Sequence, residues 1–281
     1  MRKKAQLKAF SKSLSGSEFS GNRELDSWYD AFELRKEFMK TRNEIYARTV
    51  ILQCLTDRCC LDMDWEEDTL ELEEREEQRQ LIFNWLNNKG YVQYTTAQER
   101  ELFCLPIGKK SFKKNELIEI DVQSKAMDVL LWVLCKTNDI LPLEEVAISD
   151  NHSILNISKD HNFDKEVSKC ELKPQSEIAI QADIAFLWNW RMNEIELRAT
   201  KGANHNISEL IIHEFGDRYK NALEHIEIYT SKNPRSSDDF VIFNLVVREL
   251  YKWQKDLLKY STYWRYHAFR WILDDAEWDK I

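Results

Sequence analysis

Two arginines that stand beside tryptophans are the residues of this chain best suited to hold an anion. Arg191 follows Trp188 by three positions, whereas Arg265 directly follows Trp264 and precedes His267 by two. A guanidinium stacks on aromatic rings and binds carboxylates or phosphates with paired hydrogen bonds, and a histidine can transfer protons near neutral pH. These residues could therefore line a helical pocket for a small anionic substrate.

The same arginines have a structural alternative. Each could close an internal salt bridge to an acidic side chain such as Asp274 or Asp279. Paired, buried arginines commonly fasten the ends of helices. For Arg191 we expect burial against the ring of Trp188 and pairing with a carboxylate from another helix. The sequence leaves both alternatives open, ligand anchor and ion pair.

Two short motifs contain metal-ligand residue types without a complete ligand set. His213 and Asp217 stand at i and i+4 with Glu214 between them, but a zinc-peptidase helix needs a second histidine at the later position. Asp160, His161 and Asp164 fall on a predicted loop with no regular frame. We therefore predict no metal site and no other cofactor.

Other catalytic signatures are missing from the sequence. There is no G-x-S-x-G nucleophile elbow and no glycine-rich phosphate loop. The six cysteines include no C-x-x-C pair, and no secretory signal is evident. We therefore expect reduced thiols in a cytoplasmic protein with no assigned catalytic residues.

The overall charge excludes some partners and suggests another. A formal charge of −9 opposes nucleic-acid binding through the main domain, because that affinity comes largely from lysine and arginine. No apolar run is long enough to span a bilayer, so no membrane partner is expected. The acidic run 64–77, DWEEDTLELEEREE, could meet a basic protein partner. The sequence does not indicate an oligomeric state.

Helix signals recur along the chain and predict a mainly α fold. Capping boxes open helices at 41–44 (TRNE) and 96–99 (TAQE), and Gly90 suits a helix end. A last long helix is predicted from about Ser237, and the aromatic stripe that includes Trp264 and Trp271 is predicted to be core. A small β-hairpin can be drawn near residues 145–158. We predict a basic N-terminal arm or peripheral helix over 1–40 and a single multi-helix domain over 41–281.

Several motifs, in order, resemble those of an uncharacterised, mainly bacterial family, the domain of unknown function 4272. The opening helix is TRNEIYARTVILQCL (41–55), followed by FNWLNNKGYVQYTTAQERELF (83–103), AMDVLLWVL (126–134), FLWNWR (186–191), and finally RYHAFRW (265–271) with EWDKI. The chain differs from the usual family pattern at Val122, Lys125 and Leu187, and lacks an Asp-Thr pair after the final W-D. The resemblance implies a shared fold and supplies no reaction.

These observations suggest two functions. The first is a non-enzymatic protein that acts by binding another protein, as an immunity or regulatory factor. The second is an enzyme with a tryptophan-lined helical pocket, in which Arg191 or Arg265 binds a small anionic substrate and His267 or a carboxylate handles protons. A concave site where these groups converge would favour the enzyme, whereas a broad exposed patch would favour the binding protein.

Overall fold

A computed structural model describes residues 39–62, 71–107, 122–143, 152–155, 157–199, 207–215, 219–229, 239–274 and 277–280. Over these residues the fold is mainly helical with one small antiparallel sheet, which confirms the predicted fold class. The α-helices are α1 (Arg42–Asp62), α2 (Leu72–Asn88), α3 (Ala97–Cys104), α4 (Ser124–Val133), α5 (His152–Leu155), α6 (Phe163–Ser168), α7 (Gln175–Ala199), α8 (Ile207–Phe215), α9 (Lys220–Leu223) and α10 (Lys252–Leu273). Short 3-10 helices cover Val92–Tyr94, Val247–Glu249 and Trp278–Lys280.

Both predicted capping boxes are present. At the start of α1, the backbone N–H of Thr41 donates to Glu44 Oε2 at 2.8 Å, and the N–H of Glu44 donates to Thr41 Oγ1 at 3.3 Å. Thr96 and Glu99 exchange the same pair of bonds before α3, at 2.8 and 3.1 Å. Each box satisfies two backbone N–H groups that have no partner within the helix.

The chain divides into two compact units. The first contains the described residues 141–143 and those between 174 and 269, and the second contains the other described residues. In the second unit, α1 is buried over most of its length and packs against α4, whose ten residues are all buried. Helices α2 and α3 also pack against α1. A helix that is apolar on most sides is stable only with such cover, which explains why α1 and α4 form the centre of this unit.

The core of the first unit is built from α7, α8, α9 and the sheet. Its buried side chains include Leu187, Trp190, Ile211 and Phe240, all of which are almost inaccessible to solvent. Aromatic rings from α7 pack edge to face on those of α8, as Trp190 does on Phe215 at 5.5 Å between centroids. The large rings bury much apolar area, which makes them the main stabilising contacts of this unit.

The sheet lies in a different part of the chain from the predicted hairpin. Strands β1 (Ile228–Tyr229), β2 (Asp239–Ile242) and β3 (Leu245–Val246) pair antiparallel in the order β1-β2-β3, with Ile228 opposite Phe240 and Ile242 opposite Leu245. Within the predicted range 145–158, residues 152–155 form the helical turn α5, while 144–151 and 156 lie outside the described residues.

The predicted start of the last helix at Ser237 is wrong. Residues 239–246 form the β2–β3 hairpin instead, and α10 begins at Lys252. Phe243 and Asn244 connect the strands with φ angles of 56° and 58°, the left-handed conformation that a two-residue type I′ turn requires. A β-branched, aromatic run around such a turn favours strands over a helix.

Helix α10 carries the predicted aromatic stripe. Trp264 and Trp271 are 5% and 6% exposed, which confirms that both belong to the core, and α10 continues without a break through Ser261 and Thr262. Of the predicted arm, residues 1–38 lie outside the described residues, so the division of the chain near residue 40 stays a prediction. None of the helices over the described residues is long and apolar enough to cross a bilayer.

Candidate functional site

Arg191 forms a buried ion pair with Asp239. Its Nε and Nη2 atoms donate to the two carboxylate oxygens at 2.6 and 2.8 Å, and the two side chains are 10% and 2% exposed. The carboxylate also accepts from the backbone N–H groups of Phe240, at 2.9 Å, and Arg248, at 3.3 Å. This bidentate geometry satisfies both charges and ties α7 to the sheet.

The tryptophan one turn before Arg191 packs on the same strand. Trp188 is 9% exposed, and its ring meets that of Phe240 at 5.0 Å between centroids, next to Asp239 in β2. The acidic partner of Arg191 therefore comes from a strand, whereas the sequence led us to expect a carboxylate on a helix. Two of the three guanidinium nitrogens are engaged by Asp239, which suits the ion-pair alternative better than the ligand-anchor alternative.

The second predicted group lies on α10. Trp264 and His267 are both buried, with ring centroids 4.8 Å apart, and Tyr263 packs against both rings. Arg265 is half-buried and donates from Nη2 to the backbone carbonyl of Leu141. This hydrogen bond ties the guanidinium to the polypeptide backbone of its own unit.

Asp279 belongs to the other unit, where it lies near Arg48. Arg48 is 4% exposed, forms an ion pair with Glu99, donates to the carbonyl of Tyr94 at 2.9 Å and lies 5.0 Å from the ring of Trp278. Burial lowers the pKa of the Arg48 guanidinium, while the carboxylates of Glu99 and Asp279 act in the opposite direction. The final W-D pattern of the sequence is thus part of the packing around a buried arginine.

The six predicted site residues therefore do not form one constellation. Those in the first unit fall into two sets of contacts, one around Arg191 and one on α10, and Asp279 lies in the second unit. Sequence reasoning missed Asp239 and Arg48, although both are buried and paired. No local signal could have found these pairs, because Arg191 and Asp239 are 48 positions apart and Arg48 and Glu99 are 51 apart.

The histidines of the two motifs that contain metal-ligand residue types differ in exposure. His213 is exposed on α8, while the side chain of Glu214 and all of Asp217 lie outside the described residues. His161 is buried, and its Nε2 lies 2.6 Å from the hydroxyl oxygen of Tyr91. Burial raises the pKa of Tyr91, so the phenol stays protonated at neutral pH. Across the described part of the chain, no three His, Cys, Asp or Glu side chains are grouped as metal ligands would be.

Helix α2 separates its charges between two sides. Arg79 is 8% exposed, pairs with Glu76 and donates to the carbonyl of Phe103 at 2.7 Å, while Arg75 reaches the carbonyl of Leu61 at 3.3 Å. The hydrogen bonds from Arg79 lower the pKa of Glu76 to about 2. Both arginines of this helix therefore donate to protein carbonyls.

The glutamates at the start of α2 are exposed. We call this surface the acidic face, and it consists of Glu71, Glu73, Glu74 and Glu77. Leu72 and Leu81, on the same helix, are 57% and 67% exposed. An exposed leucine by itself is ordinary, but here two of them accompany four like charges on one helix.

Comparison with known proteins identifies a family and no individual relative. The family model described as Domain of unknown function (DUF4272) matches residues 29–211. This stretch includes the first four motifs of the resemblance, and the closing pattern on α10 lies beyond it. No curated protein and no solved structure matches the chain.

Proposed function

We propose that this chain, which belongs to the family described as domain of unknown function 4272, is a non-enzymatic cytoplasmic protein that acts by binding another protein. Its role would be that of an immunity or regulatory factor. The observation that carries the proposal is the acidic face of α2, four exposed glutamates on a helix whose two arginines donate to the carbonyls of Phe103 and Leu61. A partner with a basic surface would recognise it.

The physical argument rests on electrostatic complementarity. Like charges gathered on the first turns of an exposed helix raise the free energy of the unbound protein slightly, and a basic partner relieves this repulsion. Such charges mainly speed the diffusional encounter, whereas the exposed Leu72 and Leu81 offer apolar area that a partner could bury. Negative charge at a helix start also stabilises α2 itself through the helix dipole, and that role is compatible with binding.

The enzyme alternative receives less support from the same residues. It requires Arg191 or Arg265 to present its guanidinium to a substrate, but Arg191 binds Asp239 and Arg265 donates to a backbone carbonyl. His267 is 6% exposed and packs against the rings of Trp264 and Tyr263. A catalytic base must reach the substrate, which this packing does not favour.

The proposal can be tested with a charge-reversal variant and a matched control. The test variant is Glu73→Lys/Glu74→Lys/Glu77→Lys. The control places the same three substitutions at Glu171, Glu224 and Glu227, which are also exposed. Each substitution changes the charge by two, so both variants move from −9 to −3, and only the location differs.

The wild-type protein is used to capture a partner from extracts of the source cells, and the purified partner is then titrated against all three proteins. We expect at least about a tenfold weaker Kd for the test variant and less than about a threefold change for the control. Association with wild type should slow as salt rises, because salt screens exposed charges. Equal binding by both variants, or no partner at all, would refute the proposal. The triple glutamine variant at 73, 74 and 77 serves as a second probe if lysines destabilise α2.

A further inference from the structure

One side of α2 carries acidic and apolar side chains at the spacing of a helix–helix contact. With about 100° of rotation per residue, Glu74 lies about 20° from Leu81 around the helix axis, and Glu77 and Trp85 each lie about 40° from it. Glu74 and Glu77 are exposed, Leu81 is 67% exposed and Trp85 is half-buried. We call these four residues the α2 stripe. They extend over about 16 Å, or three helical turns.

The apolar end of the α2 stripe is held in place by the protein beneath it. The ring of Trp85 stacks on that of Tyr91 at 5.4 Å between centroids, and its Nε1 donates to the carbonyl of Ser158 at 2.9 Å. Tyr91 itself is fully buried. A side chain fixed in this way loses little conformational entropy when a partner binds. Trp85 and the neighbouring Leu81 therefore form a preorganised apolar contact, and tryptophan is a common hot-spot residue of interfaces.

The charged and apolar parts of the α2 stripe lie at opposite ends. The carboxylates of Glu74 and Glu77 occupy the first turns of the helix, and Leu81 and Trp85 follow one and two turns later. Beyond them, Lys89 donates from Nζ to two backbone carbonyls, each at 2.8 Å. A complementary segment must therefore present cations towards the start of α2 and apolar side chains towards Trp85.

This chemistry selects one kind of occupant. A second copy in a symmetric contact would offer the same four residues, none of which is a cation for Glu74 and Glu77. Nucleic acids and anionic membranes would bring phosphates against these carboxylates, which repel them. A basic, amphipathic helix meets both requirements, because its apolar residues at i, i+3, i+4 and i+7 match the spacing on α2 and its lysines or arginines can flank them.

We propose that the α2 stripe binds one basic, amphipathic helix of the partner protein, with an apolar side chain against Leu81 and Trp85 and cations opposite Glu74 and Glu77. The inference rests on the proposed function, because it names the segment that the partner presents. It also assigns no contact to Leu72, which lies about 180° from Leu81 around the axis. A contact of three turns is smaller than a standard interface, so the affinity of such a helix by itself is micromolar.

Fluorescence anisotropy with a labelled model peptide tests the inference on the full chain. The probe is a peptide of about 18 residues made of leucine, alanine and lysine, with the leucines on one helical face and the lysines beside them. The comparison peptide has the same composition in an order that spreads the leucines around the helix. Wild type should bind the amphipathic peptide with a Kd of about 10 to 100 µM and the comparison peptide at least about tenfold more weakly.

The apolar contact is tested by two alanine variants on the same helix. Leu81→Ala should weaken binding of the amphipathic peptide by about tenfold, because most of the buried leucine side chain is lost. Leu72→Ala is the matched control, since Leu72 is 57% exposed, and it should change the Kd by less than about twofold. Both positions are exposed and alanine favours helices, so both variants should keep the fold, which circular dichroism checks.

The charged contact is tested by Glu74→Gln/Glu77→Gln. This variant should bind the amphipathic peptide about threefold to tenfold more weakly than wild type at low salt, and the difference should shrink as salt rises. The control Glu224→Gln/Glu227→Gln also removes two exposed carboxylates, from the other unit, and should bind like wild type.

The outcomes separate this inference from the proposed function. Equal weakening by Leu81→Ala and Leu72→Ala, or equal binding of both peptides by folded wild type, would overturn the inference. A captured partner that the charge-reversal variant no longer binds, but that Leu81→Ala binds like wild type, would also overturn the inference and would leave the proposed function standing. Peptide binding with the expected pattern but no captured partner would refute the proposed function and support the assigned contact.

Discussion

Arg191→Met offers the most direct test of how the first unit is held together. Methionine keeps much of the aliphatic volume but removes both hydrogen bonds to Asp239, whose side chain is only 2% exposed. The carboxylate would then remain buried without its countercharge. It keeps the backbone N–H groups of Phe240 and Arg248 as donors, so part of its hydrogen bonding survives.

The expected loss follows from these contacts. Two charge-assisted hydrogen bonds contribute about 1.5 to 3 kcal/mol each, and breaking a buried ion pair typically costs about 3 to 5 kcal/mol. Because two backbone donors remain, we expect the lower part of this range, about 3 to 4 kcal/mol. For a chain of this size the melting temperature should fall by about 6 to 16 °C.

Urea unfolding monitored by tryptophan fluorescence measures this change, since Trp188 and Trp190 lie in the same unit. The double variant Arg191→Met/Asp239→Asn should be more stable than Arg191→Met, because asparagine keeps an acceptor for the backbone and carries no stranded charge. The control Arg248→Met removes an arginine that is 30% exposed and should cost less than about 1 kcal/mol. If Arg191→Met were as stable as wild type but no longer gave thermal shifts with anionic metabolites, the ion-pair interpretation would be wrong and Arg191 would be a ligand anchor.

Two further predictions concern the second unit. Trp271→Ala should lower the free energy of unfolding by about 3 to 5 kcal/mol, because the ring is 6% exposed and packs on that of Trp278 at 5.4 Å between centroids. An unchanged urea midpoint would contradict the place of Trp271 in the core. The pKa of Glu76 is lowered from its ordinary 4.5 to about 2 by Arg79, so its stabilising contribution is present above pH 4.5 and is lost as the pH falls towards 2. Unfolding curves measured across that pH range should show a smaller acid-dependent loss of stability for Glu76→Gln than for wild type. Glu101→Gln, at an exposed position, should lose stability like wild type. If stability fell equally with pH in all three proteins, the Glu76–Arg79 pair would not be its source.

The Arg191–Asp239 pair could be predicted only in part from the sequence. For Arg191 on α7 the sequence leaves open a ligand anchor or an internal ion pair, and in the structure its partner is Asp239 of the protein itself. Nothing near Asp239 in the sequence distinguishes it from the exposed carboxylates of the chain. Only the folding of β2 places Asp239 within hydrogen-bonding distance of the Arg191 guanidinium, so the pair could not be predicted from the sequence.

The hairpin at 239–246 illustrates the same limit for secondary structure. Two-residue type I′ turns usually contain Asn-Gly, whereas this one is Phe243–Asn244, so the common turn signal is absent. The following residues Val246, Val247 and Leu250 are buried and also fit a helical period over a short window. The strand pairs with β1 through residues that are ten and twelve positions away, and this pairing favours the extended conformation.

What the sequence by itself determined is local: the two capping boxes, the helix end at Gly90, the burial of Trp264 and Trp271, and the mainly helical fold class. Each depends on groups within a few positions of one another or on the period of a helix, both of which can be read along the chain. The tertiary structure alone decided the pairs Arg191–Asp239 and Arg48–Glu99. A charged side chain gains its partner when folding removes both from water, and that choice depends on how distant segments pack, which no local pattern encodes.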